Sequence, residues 1–342
     1  MKYLRGLVAV PLLLAFAGAK AQSAVTLYGI ADASIEHISN VKAASGVASM
    51  NRLMSGANNQ SRWGLRVKED LGDGLAAVVN LESGFNLDDG TQVSGLGFSR
   101  AAVVGLQGRI GTLLLGRQLT TINSEGPFDP MAYWRMGSKT LVRAANAFIR
   151  DNQVRFTSTP FGCLSVGAHG LVRESAAARP GYGVEVGCEV GPLLVKVIRE
   201  VDRNPVTGLY DNLYAFPRQT FAGARYAIDS GTSVMLGYVR LDAPDDAVNG
   251  KSARHAWIGA RALVAGHVIL SGAVYRLDVA TGARSTLFAL GGEYVLSRRT
   301  SLYAMAGTVG NRGGGVAGVT PGDLSVANAR QNGLDIGLIH KF

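Results

Sequence analysis

The sequence predicts an all-β protein, an antiparallel transmembrane barrel of about sixteen strands, and three observations support this. Apolar and polar residues alternate with a period of two in segment after segment from residue 24 onward, as in strands with one apolar face. Connections of a few residues alternate with connections that are mostly longer, which is typical of outer-membrane barrels. Hydrophobic residues make up 47% of the chain, yet no segment after the N-terminus is long and apolar enough for a transmembrane helix. Closure into a barrel would also remove exposed sheet edges.

The predicted strands succeed one another as hairpins along the chain. Their bounds are Val25–Glu36, Arg62–Lys68, Leu75–Glu82, Arg100–Leu106, Thr112–Gln118, Gln153–Ser158, Leu164–Val172, Tyr182–Val190, Leu193–Glu200, Phe221–Ile228, Ser233–Leu241, Ala256–Val264, Val268–Leu277, Leu287–Leu296, Ser301–Val309 and Gly333–Phe342. A long polar loop follows the first strand at Ser39–Gln60. The connection Thr120–Asp151 is exceptional, because it has about thirty residues and no period-two pattern. Long loops inside a compact domain are usually functional, so Thr120–Asp151 is a candidate functional segment.

The N-terminus predicts a cleaved secretory signal at residues 1–21, followed by a single barrel domain at 22–342. Lys2 and Arg5 precede the apolar run Leu7–Ala17, and Ala19–Ala21 matches an A-x-A-like cleavage site. A membrane helix is the alternative, but the run is too short to span a bilayer and contains Pro11.

The two cysteines are expected to be free thiols. In both flanking strands the apolar set is even-numbered, so alternation puts Cys163 and Cys188 on opposite faces of the sheet. Side chains on opposite faces do not meet disulfide geometry without a bulge.

No residue pattern indicates an enzyme, a cofactor or a metal site. The five histidines are scattered without metal-ligand spacing, and no G-x-S-x-G motif is present. Gly313–Gly318 matches G-x-G-x-x-G formally but lacks the βα context of a dinucleotide site, so an extracellular loop is the better interpretation. The formal net charge of +9 fits anionic partners, and export argues against nucleic acid.

Several stretches together resemble the trimeric general porins of Gram-negative outer membranes, in their β-proteobacterial branch. They are Ala24–Gly29, Ser61–Arg66 with Glu69–Gly72, Leu81–Phe85, Gly116–Gln118, Thr159–Gly162, Ser297–Tyr303 and the terminal Gly337–Phe342. The resemblance implies three barrels per assembly, each with its own water-filled channel in outer-membrane lipid. It also implies that the third extracellular loop, here Thr120–Asp151, folds into the lumen and forms the constriction. Phe342 resembles the signal read by the outer-membrane assembly machinery, although it is also simply one more lipid-facing residue.

The candidate pore residues are charged side chains at the expected constriction. On the second predicted strand Trp63, Leu65 and Val67 would face lipid, so Arg62, Arg66 and Lys68 would face the lumen, either as a selective basic row or as solvated lining. The resemblance adds Arg100 and Arg150, although simple alternation supports neither without a bulge or a position above the lipid band. Glu125 and Asp129 are expected either to face the pore or to anchor the loop by salt bridges. Arg135, Lys139 and Arg143 lie four apart, which favours a solvated helix face over a further basic lining.

The function predicted from these residues is passive diffusion of small hydrophilic solutes and ions, with a preference for anions. Three alternatives remain: a substrate-specific channel for an organic acid or phosphate, a barrel enzyme such as a phospholipase or protease, and an exported β-sandwich or adhesin.

Overall fold

The computed structural model describes residues 23–44, 46–131, 135–142, 149–172, 181–201, 218–242 and 252–342, so the predicted signal peptide at 1–21 lies outside the described residues. The strands are β1 Ser23–Ala43, β2 Gly46–Ser55, β3 Arg62–Gly72, β4 Leu75–Gly84, β5 Ala101–Gly108, β6 Gly111–Leu119, β7 Ile149–Ser158, β8 Leu164–Leu171, β9 Tyr182–Val190, β10 Leu193–Val201, β11 Arg218–Ala227, β12 Ser233–Asp242, β13 Ala253–Val264, β14 Val268–Val279, β15 Arg284–Val295, β16 Thr300–Arg312 and β17 Arg330–Lys341. Short 3₁₀ segments lie at Val93–Gly95 and Thr121–Phe128, and one helical turn, α1, at Ser138–Leu141. No helix in these ranges has the length and apolarity needed to cross a membrane.

All strands belong to one antiparallel sheet that closes on itself, so the predicted barrel is confirmed. Each strand from β3 to β17 pairs with the next, and β1 closes the ring by pairing with both β3 and β17. The first half of β1 pairs with β3 and its second half with β2. Because β2 and β3 succeed each other along the same side of β1, they occupy one position in the ring, which therefore has sixteen positions.

The predicted polar loop Ser39–Gln60 is wrong, because most of it is strand. β1 continues to Ala43 and turns into β2, whose register runs from Ala33 opposite Ser55 to Ala43 opposite Gly46. The exposed face of β2 carries Ser49 and Asn51 beside Val47 and Leu53, so its two faces do not differ in polarity. The alternation of apolar and polar residues therefore did not identify β2 as a strand.

The two faces of the barrel have opposite character. In β17, Leu334, Ile336 and Leu338 are exposed on the outside, whereas Asp335 between them is fully buried on the inside. This apolar-out and polar-in pattern is the reverse of a soluble protein and matches a barrel surrounded by lipid. The interior of one side contains stacked aromatic rings, with Phe221 and Trp257 centroids 5.9 Å apart.

The C-terminal residue completes the closure of the ring. The backbone N–H of Phe342 donates to the Gly29 carbonyl (3.0 Å), and the Gly29 N–H donates to the Phe342 carbonyl (2.9 Å). The Phe342 ring occupies the space that a side chain at position 29 would fill, since a Cβ there would lie 2.2 Å from the ring. Only glycine therefore fits at position 29 while the ring keeps this place.

The expectation of two free thiols is wrong, because Cys163 and Cys188 form a disulfide with their Cα atoms 4.7 Å apart. Cys163 precedes β8, which begins at Leu164, and lies in the turn where Phe161 pairs with Leu164. Since the turn residue does not obey the alternation of the strand, its parity does not fix its face. Leu164 lies directly opposite Cys188, which brings the neighbouring Cys163 within bonding reach.

Candidate functional site

The segment between β6 and β7 begins with an anchor on β10. The hydroxyls of Thr120 and Thr121 donate to the Glu200 carboxylate (2.9 and 3.0 Å), and the Ile122 N–H donates to it as well (2.7 Å). Glu200 is 1% exposed. A buried carboxylate needs such donors, and three of them come from this one stretch of the segment.

A second anchor joins the segment to β13 and β14. The indole Nε1–H of Trp257 donates to the Phe128 carbonyl (2.7 Å), and the Phe128 ring packs against Phe221 with centroids 5.4 Å apart. The next residue, Asp129, accepts hydrogen bonds from the Tyr275 hydroxyl and from the backbone N–H groups of Met131 and Ser138. The segment is thus tied to inward side chains of three further strands.

A third anchor reaches the seam where the ring closes. The Arg135 guanidinium pairs with Glu36 of β1 and lies 3.6 Å from the Asp335 carboxylate of β17. Glu36 also accepts from Thr320 (2.6 Å) and pairs with Arg52 (2.5 Å). The described parts of the segment therefore contact the inward face of the barrel from β8 to β17 and β1.

Glu125 and Asp129, the two acidic candidates of the segment, anchor it and do not face open space. Glu125 is 2% exposed and pairs with Lys139, and Asp129 is 4% exposed and accepts the three hydrogen bonds of the second anchor. Burial raises the pKa of both carboxyl groups above the ordinary range, although Lys139 opposes this at Glu125. Of the two alternatives drawn from the sequence, the structure supports loop anchoring.

The prediction that Arg135, Lys139 and Arg143 form a solvated basic face is wrong for the two residues that the structure describes. Arg135 and Lys139 are 4% and 3% exposed and are both engaged in ion pairs, while Arg143 lies outside the described residues. The spacing of four was compatible with a helix face, but α1 is only one turn long.

Strands β3 to β7 border a cavity of about 630 Å³. One acidic side chain, Glu82, lines this cavity. Five basic side chains line it as well: Arg62, Arg66, Lys68, Arg100 and Arg155. The cavity brings together three of the predicted pore arginines. A concave wall with one dominant sign of charge concentrates ions of the opposite sign.

The basic groups of this wall differ in how far they are neutralised. Glu82 pairs with Arg100 (2.6 Å) and more distantly with Arg62 (3.6 Å), and it accepts a hydrogen bond from the Tyr28 hydroxyl (2.7 Å). The Arg66 guanidinium instead lies over the Tyr28 ring, 3.9 Å from its centroid, a cation–π contact that keeps its charge. Arg66 is therefore the least compensated arginine of the wall.

Arg100 lines the cavity although alternation with Val104 and Leu106 puts it on the outer face. It precedes β5, which begins at Ala101, so the strand's alternation does not apply to it. Its guanidinium donates hydrogen bonds to the side chains of Gln60 and Glu82, which hold it toward the lumen.

Arg150 is brought to the inward side by a β-bulge. Gly116 pairs with Gln153 but Gln118 pairs with Arg150, and Asn152 in the extra length has φ 53°. Because directly opposed residues share a face, Arg150 lies on the same side as Gln118, which lines the cavity. Its own side chain is not among the cavity-lining groups.

Arg155 is not among the residues predicted from the sequence, and it joins the wall to the segment. Its guanidinium donates to the carbonyls of Leu119 (2.8 Å) and Thr120 (3.2 Å) and pairs with Glu185 (3.2 Å). The sequence could have identified Arg155 as an inward residue, because it alternates with the outward-facing Val154 and Phe156. Within the described ranges, no group of three His, Cys, Asp or Glu side chains is placed to hold a metal ion.

Comparisons with known proteins match this architecture over nearly the whole chain. A family model described as Gram-negative porin matches residues 8–314. An outer membrane porin of Bordetella pertussis is 30% identical over 396 aligned residues, covering 98% of this chain and 99% of the relative. Outer membrane porin protein 32 of Delftia acidovorans is 29% identical and covers 99% of both chains.

Solved structures share the fold. An anion-selective porin from Comamonas acidovorans superposes with a TM-score of 0.78 at 24% identity, covering 94% of this chain and all of that one. A trimer form of the outer membrane protein OmpT of Vibrio cholerae has a TM-score of 0.67 at 19% identity, covering 94% of this chain and 99% of that one.

Proposed function

This chain belongs to the Gram-negative porin family of the outer membrane, and we propose that its channel passes small hydrophilic solutes passively, with a preference for anions. The observation that carries the anion preference is the cavity wall of β3–β7, where five basic side chains accompany one carboxylate. Fixed charges that line a narrow aqueous path select ions by sign, because the low-dielectric wall around them focuses the field.

The constriction forms between this basic wall and the segment Thr120–Asp151. The three anchors hold the described parts of the segment against β8–β17 and β1, which leaves the passage on the side of β3–β7. Arg62, Arg66 and Arg100 are wall residues of this constriction, and Arg150 lies beside them on the same inward face. Glu125 and Asp129 act indirectly, by holding the segment in place.

Two further properties belong to the proposal. A homotrimer is favoured by the family and by the trimer form of the Vibrio cholerae protein. Phe342 serves as the recognition residue for outer-membrane assembly, in addition to its contact with Gly29. No catalytic step is proposed, since the wall offers charge and space and the family is one of channels.

The test is the reversal potential of the purified channel in a planar bilayer under a tenfold gradient of potassium chloride. The wild type is expected to prefer chloride, and Arg66→Glu/Lys68→Glu should lower the ratio of chloride to potassium permeability by about tenfold. Arg62→Glu should have a smaller effect, because Glu82 already offsets part of that charge.

The matched control is Arg298→Glu/Arg299→Glu, which makes the same charge change in an exposed turn away from the cavity. It should leave the permeability ratio nearly unchanged. Cation preference in the wild type, or an equal change in both double variants, would refute the proposal. Block of the current by micromolar amounts of one organic acid or phosphate would instead establish a substrate-specific channel.

A further inference from the structure

The wall of the channel cavity contains apolar side chains as well as charged ones. Val78 of β4, Val103 of β5 and Leu114 of β6 line the cavity, and we call these three residues the apolar patch. Alternation places them on the inward face. Val78 shares its parity with Glu82, and Leu114 shares its parity with Thr112, both of which also line the cavity. The lumen of an outer-membrane barrel is ordinarily polar, so the patch departs from the expected pattern.

The apolar patch is separate from the apolar core of the lumen. In that core, inward side chains pack against the segment between β6 and β7: the Phe221 ring contacts Phe128, and the Trp257 indole donates to the Phe128 carbonyl. The three patch residues lie outside the core cluster that the described residues form. Val78 and Leu114 are only partly buried. The patch therefore presents apolar surface to the channel cavity, at a place where it does not hold the segment.

Strand register places the patch between two cations. Lys68 lies opposite Val78, Val78 opposite Gly105, Gly105 opposite Leu114, and Leu114 opposite Arg155. The Leu114 side chain covers Gly105, because a Cβ at position 105 would lie 2.8 Å from Leu114 Cδ2. Neighbouring strands are about 4.8 Å apart, so the apolar part of this row, from β4 to β6, spans about 10 Å. This length accommodates the flat face of one six-membered ring.

The cations at the β3 edge of the patch are open to solvent. Arg66 and Lys68 are both exposed, lie on the same face of β3 and line the cavity. The acidic side chain of the cavity is paired with other arginines, and neither exposed cation has an ion pair among the residues that the structure describes. At the opposite edge, Arg155 is paired with Glu185 (3.2 Å). An entering carboxylate therefore finds its best partners in Arg66 and Lys68, directly beside the patch.

We propose that this wall binds carboxylates whose body is a single apolar ring, with the carboxylate between Arg66 and Lys68 and the ring on the apolar patch. The inference rests on the proposed function and adds a class of solute to it. Guanidinium and ammonium groups hold a carboxylate by charge-assisted hydrogen bonds, and covering the patch removes apolar surface from water. Small anions such as chloride and acetate use the same cations but gain nothing from the patch.

The site is expected to be weak, as passive conduction requires. A channel binds a solute strongly enough to admit it but weakly enough to release it. Only one face of the ring contacts the wall, and the other faces the aqueous lumen. Bound solute should therefore exchange rapidly and reduce the chloride current only at millimolar concentration.

The test measures inhibition of the chloride current in planar bilayers by added benzoate, acetate or benzyl alcohol. In the wild type, the half-inhibiting concentration of benzoate should be at least about tenfold below that of acetate, which lacks the ring. Benzyl alcohol, which lacks the charge, should not inhibit. The patch variant Val78→Thr/Leu114→Gln replaces apolar groups by polar groups of similar size. It should raise the half-inhibiting concentration of benzoate about tenfold and that of acetate by less than twofold, because no charge changes.

The matched control is Leu263→Gln/Ile269→Thr, which makes the same kind of change at two directly opposed residues of β13 and β14 that do not line this cavity. Benzoate should inhibit it like the wild type. Only conducting channels are compared, so every variant measured is folded.

The outcomes separate this inference from the proposed function. Equal inhibition of the wild type by benzoate and acetate would overturn the inference, as would equal inhibition of the patch variant and the wild type by benzoate. Benzyl alcohol that inhibits as strongly as benzoate would show a ring site without a contribution from charge, which also overturns it. All three results leave a preference for chloride intact. Cation preference of the wild type in potassium chloride would instead refute the proposed function, whereas benzoate inhibition that still depends on Val78 and Leu114 would support the site.

Discussion

The inner surface of the barrel has two sides on which charged residues have different roles. On β3–β7, basic side chains border an open cavity, and Arg66 keeps its charge while stacked on Tyr28. On β10–β17 and β1, charged side chains are buried against the segment between β6 and β7, as Glu200 and Glu36 are. Both sides are rich in charge, but β3–β7 border an open cavity (the open side), whereas Glu200 and Glu36 on β10–β17 and β1 are closed off from solvent by the segment (the buried side).

The difference shows that partner and exposure decide what a charge in the lumen does. A buried ion pair contributes little net stability while intact, but removing one member leaves an uncompensated charge and costs several kcal/mol. A charge beside an open aqueous cavity costs little to keep or remove, but it sets the local potential. Substitutions on the buried side should therefore change the stability of the barrel, whereas substitutions on the open side should change its ion selectivity.

The largest effect is expected from Arg135→Met on the buried side. The substitution leaves Asp335 without its nearest cation and Glu36 with Arg52 alone, at a cost of about 3–5 kcal/mol. The segment should detach from the seam between β1 and β17, and single-channel conductance should rise. Heat-dependent mobility of the folded barrel on a gel measures the loss of stability.

The control for this substitution is Arg298→Met, which removes an exposed arginine from the turn before β16. It should change neither conductance nor heat stability. If Arg135→Met also changes neither, the seam contacts do not hold the segment, and the contrast between the two sides is lost.

A smaller effect is expected from Glu82→Gln on the open side. The carboxylate offsets Arg100 and Arg62, so its removal should increase the preference for chloride. The free energy of unfolding should fall by about 1–3 kcal/mol, because Glu82 is only 8% exposed and its partners lose a charged acceptor. Tyr28→Phe is the matched control, because it removes the hydrogen bond to Glu82 without changing charge. Reversal potentials of both variants in the same salt gradient measure the outcome. An equal shift in both would mean that local structure, and not charge, sets selectivity.

The open side could be predicted from the sequence because alternation is a local property. The inward positions of Arg62, Arg66 and Lys68 are set by their apolar neighbours in β3, and Arg155 could have been found in the same way. Alternation fails where a strand begins or bulges. Arg100 precedes its strand, and the bulge at Asn152 changes the parity of Arg150. Cys163 was misjudged for the same reason, since it lies in a turn.

The buried side could not be predicted, because its contacts join residues far apart in the chain. Arg135 meets Glu36 and Asp335, and nothing in the spacing of the segment identifies those partners. The sequence did identify Thr120–Asp151 as exceptional. Which of its charges would be buried depends on the side chains that β10, β14 and β17 place opposite them.

The smallest effect concerns the pH dependence of the buried side, where Asp129 and the exposed turn residue Asp89 should respond with opposite signs. Burial raises the pKa of Asp129, so its contribution to stability is complete below the ordinary carboxyl pKa of about 4 and is lost as the pH rises through the raised value. Hydrogen bonds from Thr91 lower the pKa of Asp89, so its contribution is present above about pH 4 and is lost on further acidification. Heat stability measured from pH 3 to pH 8 should therefore show that Asp129→Asn reduces the gain on acidification, whereas Asp89→Asn reduces the loss. If both substitutions change the profile in the same direction, the carboxyl of Asp129 titrates as an exposed group, and the anchor on Tyr275 is not closed in solution.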